Sequence, residues 1–398
     1  NGDRYDVFDD ALLKAAYNYQ VVQKDPNGYL HNGTYTRQLV HDSIVDLGGV
    51  PSIAAPGRDG FTPSAGEAGK TEQWRLSGHA DSDAEAFRHW DEDGAVSASC
   101  AQCHSSPGFV EYAQTGDVAA DVALGSLVDC QACHLNADLY TDPSVRYGDA
   151  GHPFLDPVDF HSGAQQTLGD ASNMCMTCHQ GRESGLSVTN AMANDVVQED
   201  PANPGVDLYD SFDFINRHYY AAAAILFGAD VTAAYEYVGT GGYNTQNTFA
   251  AHPGALNTCL GCHGRSDADH TWEVQINDCA GCHQGITTFE DLGLPFGAPD
   301  DDYDGDGVGE SFQLEIDGMK ELLYAAIQDY ANAGLGGTTY TSAIVYSSSA
   351  YPYWFVDTNG DGLPQEDETV YSNRYRDFDF DLLGAAFNYH SAQDPCND

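Results

Sequence analysis

One chemical motif occurs five times in the sequence: CAQCH (Cys100, Cys103, His104), CQACH (Cys130, Cys133, His134), CMTCH (Cys175, Cys178, His179), CLGCH (Cys259, Cys262, His263) and CAGCH (Cys279, Cys282, His283). Two thiols three positions apart, followed at once by an imidazole, form the attachment sequence of c-type haem. The thiols become thioether links to the porphyrin vinyl groups, and the histidine becomes an axial iron ligand. A redox dithiol or half of a zinc site would use the thiols but leave the adjoining histidine without a task. The motifs consume ten of the eleven cysteines, leaving only Cys396. That economy argues against a disulfide framework and for five covalent haem c groups.

An iron with a vacant sixth position invites oxygen or substrate, whereas two protein ligands confine it to outer-sphere electron transfer. Of the fifteen histidines, five are proximal, which leaves His31, His41, His79, His89, His152, His161, His218, His252, His270 and His390. Methionine offers little: there are four, and Met174 and Met176 flank or lie inside the third motif. Bis-histidine ligation, which biases the potentials low, is therefore expected. His270 lies between the fourth and fifth motifs and cannot avoid haem neighbours. His252 and His79 precede motifs by short distances, and His218 opens the apolar stretch NRHYYAAAAILFG. His31, His89, His152 and His161 compete for the fifth place.

A second chemistry is written in acidic loops. DTNGDGLPQEDE matches the EF-type calcium loop, with Asp357, Asn359 and Asp361 at positions 1, 3 and 5, Gly362 at 6, the Leu363 carbonyl at 7, Gln365 at 9 and Glu368 at 12. DDYDGDGVGE offers Asp302, Asp304, Asp306, Val308 and Glu310 in the same register, but position 12 there is Gln313. Neither loop lies between two clear amphipathic helices, so a structural clamp is expected rather than a sensor.

The scaffold must suit these groups. Its 398 residues are 42 % hydrophobic with 42 glycines, a modest apolar content that porphyrins would supplement. Fifteen basic residues face 61 acidic ones, and haem propionates add further negative charge. Such a surface excludes nucleic acid as a partner and argues against anionic membranes. The longest apolar run, YYAAAAILFG from Tyr219, has ten residues, too few for a membrane span. The chain begins at Asn1 and shows no signal-like segment, as expected of a processed secreted protein, with extracellular, cell-surface or periplasmic placement.

Periodicity predicts a helix over ALLKAAYNYQVVQKDP before Pro26, a second over YLHNGTYTRQLVHDSIVDLGG, and a helical lead through Ala84 to Trp90 into the first motif. One or two helices are expected across NRHYYAAAAILFG and ADVTAAYEYVG. MKELLYAAIQDYANAG places Met319, Leu322, Leu323, Ala326, Ile327 and Tyr330 on one helical face, and TSAIVYSSSAYPYWFVD reads as two short strands. The expected fold is mostly α and irregular, organised around five covalent haems, with a small α+β C-terminal module. Its parts are an N-terminal helical docking segment (1–49), a linker (50–72), a pentahaem core (73–290) and the module with calcium loops and a repeat helix (291–398).

The segments AFRHWDEDG before CAQCHSSPGF, CMTCHQGRES, NRHYYAAAA, AHPG before CLGCH, DHTWE before CAGCH, DYDGDG and YPYWFVD together resemble secreted multihaem c-type cytochromes of metal-reducing bacteria, including relatives of those that polymerise into extracellular filaments. The resemblance covers most of the chain. It implies His79, His218, His252, His270 and His31 as distal ligands, with His31 ranked above His161 because FHSG at Phe160 departs from the family's proline. The function so implied is extracellular electron transfer along a haem chain, with redox proteins or external acceptors as partners. The alternative is a pentahaem reductase of nitrite or a related oxyanion, which would need an open distal face.

The two ends of the chain repeat one another. At an offset of 370, Arg4, Tyr5, Phe8, Asp9, Leu12, Leu13, Ala15, Ala16, Asn18 and Tyr19 recur as Arg374, Tyr375, Phe378, Asp379, Leu382, Leu383, Ala385, Ala386, Asn388 and Tyr389. This suggests either a duplicated capping helix or a head-to-tail self-contact that extends into a filament, with His31 and His390 near the junction and Cys396 able to cross-link chains.

Overall fold

The computed structural model describes residues 10–24, 40, 43–44, 47, 65–135, 144–194, 198–199, 207–208, 212–218, 221–239, 242–245, 252, 254–265, 270–293, 302–333 and 343–393. Short helices joined by turns dominate, with four two-stranded sheets among these residues.

The haem motifs shape the first part locally. A CxxC pair on one helical turn puts both thiols on the same face, and short helices form at Ala98–His104, Cys130–Cys133, Ser172–Cys178 and Cys259–His263. Two of them are capped by side chains: Asp129 accepts from the Gln131 N–H at 2.8 Å, and Thr258 from Gly261 at 3.3 Å. Ser105 caps Ser106–Thr115 by accepting from Gly108 at 3.1 Å, and Gly116, at φ +79°, stops it in a left-handed turn closed by Phe154. Apolar packing here is divided among three small clusters, around Trp90 and Val96, around Phe109 and Leu155, and around Met176 and Phe227.

The C-terminal part is packed differently. Helices Phe312–Ala333 and Phe380–Ala392 enclose the antiparallel hairpin Ile344–Tyr346 with Trp354–Val356 over one aromatic core that includes Tyr346, Trp354, Tyr375, Phe378 and Phe387. Asp379 caps the last helix on Leu382 N–H (2.9 Å) and accepts from the Tyr330 hydroxyl (2.8 Å). Asn388 exchanges two hydrogen bonds with the Tyr235 backbone, and Gly384 lies where a Cβ would meet the Tyr235 ring.

Some expectations need correction. Helix Ala65–Arg75 starts inside the stretch read as linker, because its Ala, Glu and Lys favour helix once past Pro63. ADVTAAYEYVG is turn, not helix: the chain leaves Ala222–Phe227 at Gly228 and bends again at Thr232, both at positive φ. On Phe312–Ala333 the buried seam is turned toward Ile327 and Ala331, leaving Met319 and Leu322 exposed. His390 lies in the last turns of helix Phe380–Ala392. It is buried with its Nδ1 2.9 Å from the Tyr346 hydroxyl and its ring 4.6 Å from Tyr353. His31, His41 and Cys396 lie outside the described residues.

Candidate functional site

Two imidazoles bound to one iron, each through a nitrogen about 2 Å from the metal, hold their ring centroids about 6 Å apart. Four of the CxxCH histidines face a second histidine at that separation. His104 lies 5.9 Å from His218, His179 6.1 Å from His79, His134 6.3 Å from His270, and His283 6.3 Å from His252. The interplanar angles are 71°, 69°, 9° and 51° respectively, so one pair is nearly parallel and two are crossed. All four second histidines are remote in sequence from their partners, and each falls among the five singled out as distal ligands.

The local chemistry prepares these rings to bind metal, which takes the neutral imidazole. Burial, reinforced by the neighbouring His179, lowers the His79 pKa to about 4, and burial with His104 next to it does the same for His218. The Ala86 carbonyl lies 2.8 Å from His104 Nδ1, and the Trp272 carbonyl 2.6 Å from His263 Nδ1. A carbonyl can only accept, so these Nδ1 atoms carry the hydrogen and Nε2 is left for a metal. His218 and Trp272 sit at φ +73° and +61°, a strained setting for non-glycine residues that concentrates at functional sites.

The third motif occupies the middle. Its Cys178 lies beside Cys103 of the first motif, and its Cys175 beside Cys259 of the fourth. Between the motif helices, Gln102 Nε2 donates to Thr177 O at 3.3 Å and Leu260 N to the Ser172 hydroxyl at 3.0 Å. Around this cluster the Trp272 indole N–H is buried with no acceptor among the described residues. Such a donor fits a site completed by another group, and a haem brings carboxylates. The histidine pairs, the thiols and this donor all suit haem c.

Three further spare histidines among the described residues lie outside these pairs. Buried His152 lies between Asp149 (2.7 Å) and the Arg146 guanidinium (2.7 Å), His89 is exposed beside Glu85 (2.8 Å), and His161 sits exposed in a hairpin turn. Sequence reasoning overlooked two aromatic residues at the sites. Trp90 packs 5.0 Å from His104, and Trp272 packs 5.0 Å from His270; each adjoins or nearly adjoins a histidine in sequence, in RHW and HTW, which was the available signal.

The two acidic loops share one internal scheme. Asp357 accepts from Gly360 and Gly362, Asn359 from Asp361, and Asp361 from Leu363; Asp302 accepts from Gly305 and Gly307, Asp304 from Asp306, and Asp306 from Val308. Gln365 Nε2 donates to Asp361 at 2.8 Å. Glu368 is 2 % exposed; its Oε1 accepts from Thr358 and Asn359, while its buried Oε2 has no partner among the described residues. An orphaned buried carboxylate oxygen at position 12 suits a cation. In the other loop the carboxylates of Asp302, Asp304 and Asp306 converge within 4.8 Å. There Glu315, two positions beyond Gln313, folds back to accept from Tyr303, Asp304 and Glu310.

Among the described residues no helix is long and apolar enough to cross a membrane. No family model matches the sequence, and no solved structure matches it. The chain is similar to the C-type polyheme cytochrome OmcB of Geobacter sulfurreducens, with 26 % identity over 77 % of this chain and 42 % of that protein. It is likewise similar to OmcC of the same organism, with 26 % identity over 78 % of this chain and 42 % of that protein. The chain thus spans less than half the length of the curated relatives it matches. With five CxxCH motifs set among histidine pairs at iron-bridging separation, the chain is similar to the polyheme c-type cytochromes of a metal-reducing bacterium over most of its length.

Proposed function

We propose that the chain is an electron-transfer protein that carries five bis-histidine haems c. The observation that carries this reading is the set of four histidine pairs spaced about 6 Å apart. Bound there, haem supplies one-electron chemistry. The residues of this chain attach it covalently, saturate the iron from both sides and so deny that position to oxygen or substrate. His31 is proposed as the fifth distal ligand, as the family resemblance implies. The relatives' name, polyheme cytochrome, supports the class. The alternative, a nitrite or related oxyanion reductase, needs an open iron, and four sites already present a second imidazole. Near-infrared and EPR spectra of the intact protein test this: all haems should be low-spin, and a substantial high-spin ferric signal with nitrite turnover would favour the reductase.

The electrons pass to redox proteins or acceptors outside the cell, from an extracellular or cell-surface position, with the periplasm as the alternative. The strongly acidic surface supports solubility there. Calcium occupies the Asp357 to Glu368 loop, held by Asp357, Asn359, Asp361, the Leu363 carbonyl, Gln365 and Glu368. A second ion is held by Asp302, Asp304, Asp306, the Val308 carbonyl and Glu310. Chain copies associate head to tail. Both repeats are helical, yet Tyr17 and Tyr19 are 66 % and 68 % exposed while their counterparts Phe387 and Tyr389 are 0 % and 9 % exposed. These two unburied aromatic rings suit contact with a second copy. Negative-stain microscopy before and after deletion of residues 1–22 tests this, and monodisperse monomers at high concentration would refute it.

A further inference from the structure

Trp272 contacts one motif histidine and the second histidines that face two other motifs. Its carbonyl accepts from His263 Nδ1 at 2.6 Å, in the fourth motif. Its indole lies 5.0 Å from the ring of His270, which faces His134 of the second motif. The same indole lies 6.1 Å, edge to face, from His79, which faces His179 of the third. A backbone at φ +61° is disfavoured for a bulky residue and persists only where its surroundings over-determine it. Here that backbone directs the carbonyl to one histidine and the indole to two others.

A neighbouring contact points the same way. The His270 backbone N–H donates to Gln73 Oε1 at 3.2 Å, so helix Ala65–Arg75 braces the loop that carries Trp272. Groups that hold an imidazole from behind fix its plane and tautomer, and with them the electronic character of the metal it binds. Aromatic edge contacts are specific enough in geometry to fix a ring plane.

We propose that Trp272 is a positioning residue shared by three haem sites: its indole fixes the ring planes of His270 and His79, and its carbonyl fixes the tautomer of His263. The proposal rests on the haem reading of the motifs, and the test separates the two. The intact mass and peptide map of the unsubstituted holoprotein come first; absence of haem from the second, third or fourth motif defeats the haem reading and the proposal with it. Trp272→Ala and Trp272→Phe holoproteins are then compared by low-temperature EPR and potentiometric titration, because the relative orientation of two axial imidazole planes sets the anisotropy of a low-spin ferric signal. In Trp272→Ala, two low-spin signals and the midpoints of the same two haems should shift. The site of His263 should stay, since both variants retain the carbonyl. Trp272→Phe keeps a ring in place and should leave all signals near their original positions. A Trp272→Ala spectrum identical to the parent's, equal shifts at all five haems, or a Phe variant displaced as far as Ala overturns the proposal. If Trp272→Ala loses haem, the Phe variant decides on the same criterion.

Discussion

The C-terminal third and the haem-motif region handle burial in opposite ways. Around residues 302–393 a single aromatic core, which also takes in Val188 and packs Phe214 and Tyr235, closes over a hairpin, and Trp354, Phe378, Leu383, Ala386 and Phe387 are fully buried. Between 73 and 290 the apolar clusters are small and separate, while histidine pairs stand about one iron complex apart. Side chains complete the first region by themselves. The second is shaped to be completed by porphyrin, so ligand chemistry replaces much of its core.

This contrast can be broken by experiment. The largest effect is expected from Cys175→Ala with Cys178→Ala, because the third motif packs against both the first and the fourth. The mass should fall by one haem and the region around the motifs should become protease-sensitive, while 302–393 stays resistant; equal digestion of both regions would erase the distinction. Phe387→Ala acts on the other side. Removing a buried phenylalanine should cost about 3–5 kcal/mol, read by denaturant unfolding of the C-terminal fluorescence, with the haem spectrum unchanged. His218→Ala should turn one low-spin haem of five high-spin with little loss of overall stability, and an unaltered spectrum removes His218 from the ligands. Smaller again is calcium. A clamp saturated at 100 times its dissociation constant contributes about 2.7 kcal/mol to the C-terminal module, lost on chelation and in Asp357→Ala with Glu368→Ala, with haem content unaffected. Stability indifferent to chelator and to both substitutions means the loop holds no ion.

The chemistry in this sequence was more legible than its packing. A CxxCH motif is local: three residues on one helical turn define a site wherever the chain goes. A distal histidine is not local, since His79 and His179 meet across a hundred positions. Only proximity to motifs and a family resemblance pointed to such residues. Trp272 escaped notice because its role depends on an unusual φ and on three partners brought together by the fold. The helix 65–75 was hidden by the proline and glycine before it, and the Phe312–Ala333 seam was misplaced because periodicity gives a face but not its neighbour. The repeat shows the same limit. Gly384 admits Tyr235 tightly, whereas the matching Lys14 is exposed, so similar segments meet different surroundings.

The most direct test of the haem-completed half is a joint measurement of intact mass and of the near-infrared and EPR spectra on one sample of holoprotein. Expected are the chain plus five haems and low-spin bis-histidine signals throughout, including a near-parallel class from His134 with His270 and a strongly anisotropic class from the crossed pairs. A mass short by one haem or more, or a dominant high-spin signal, would contradict it.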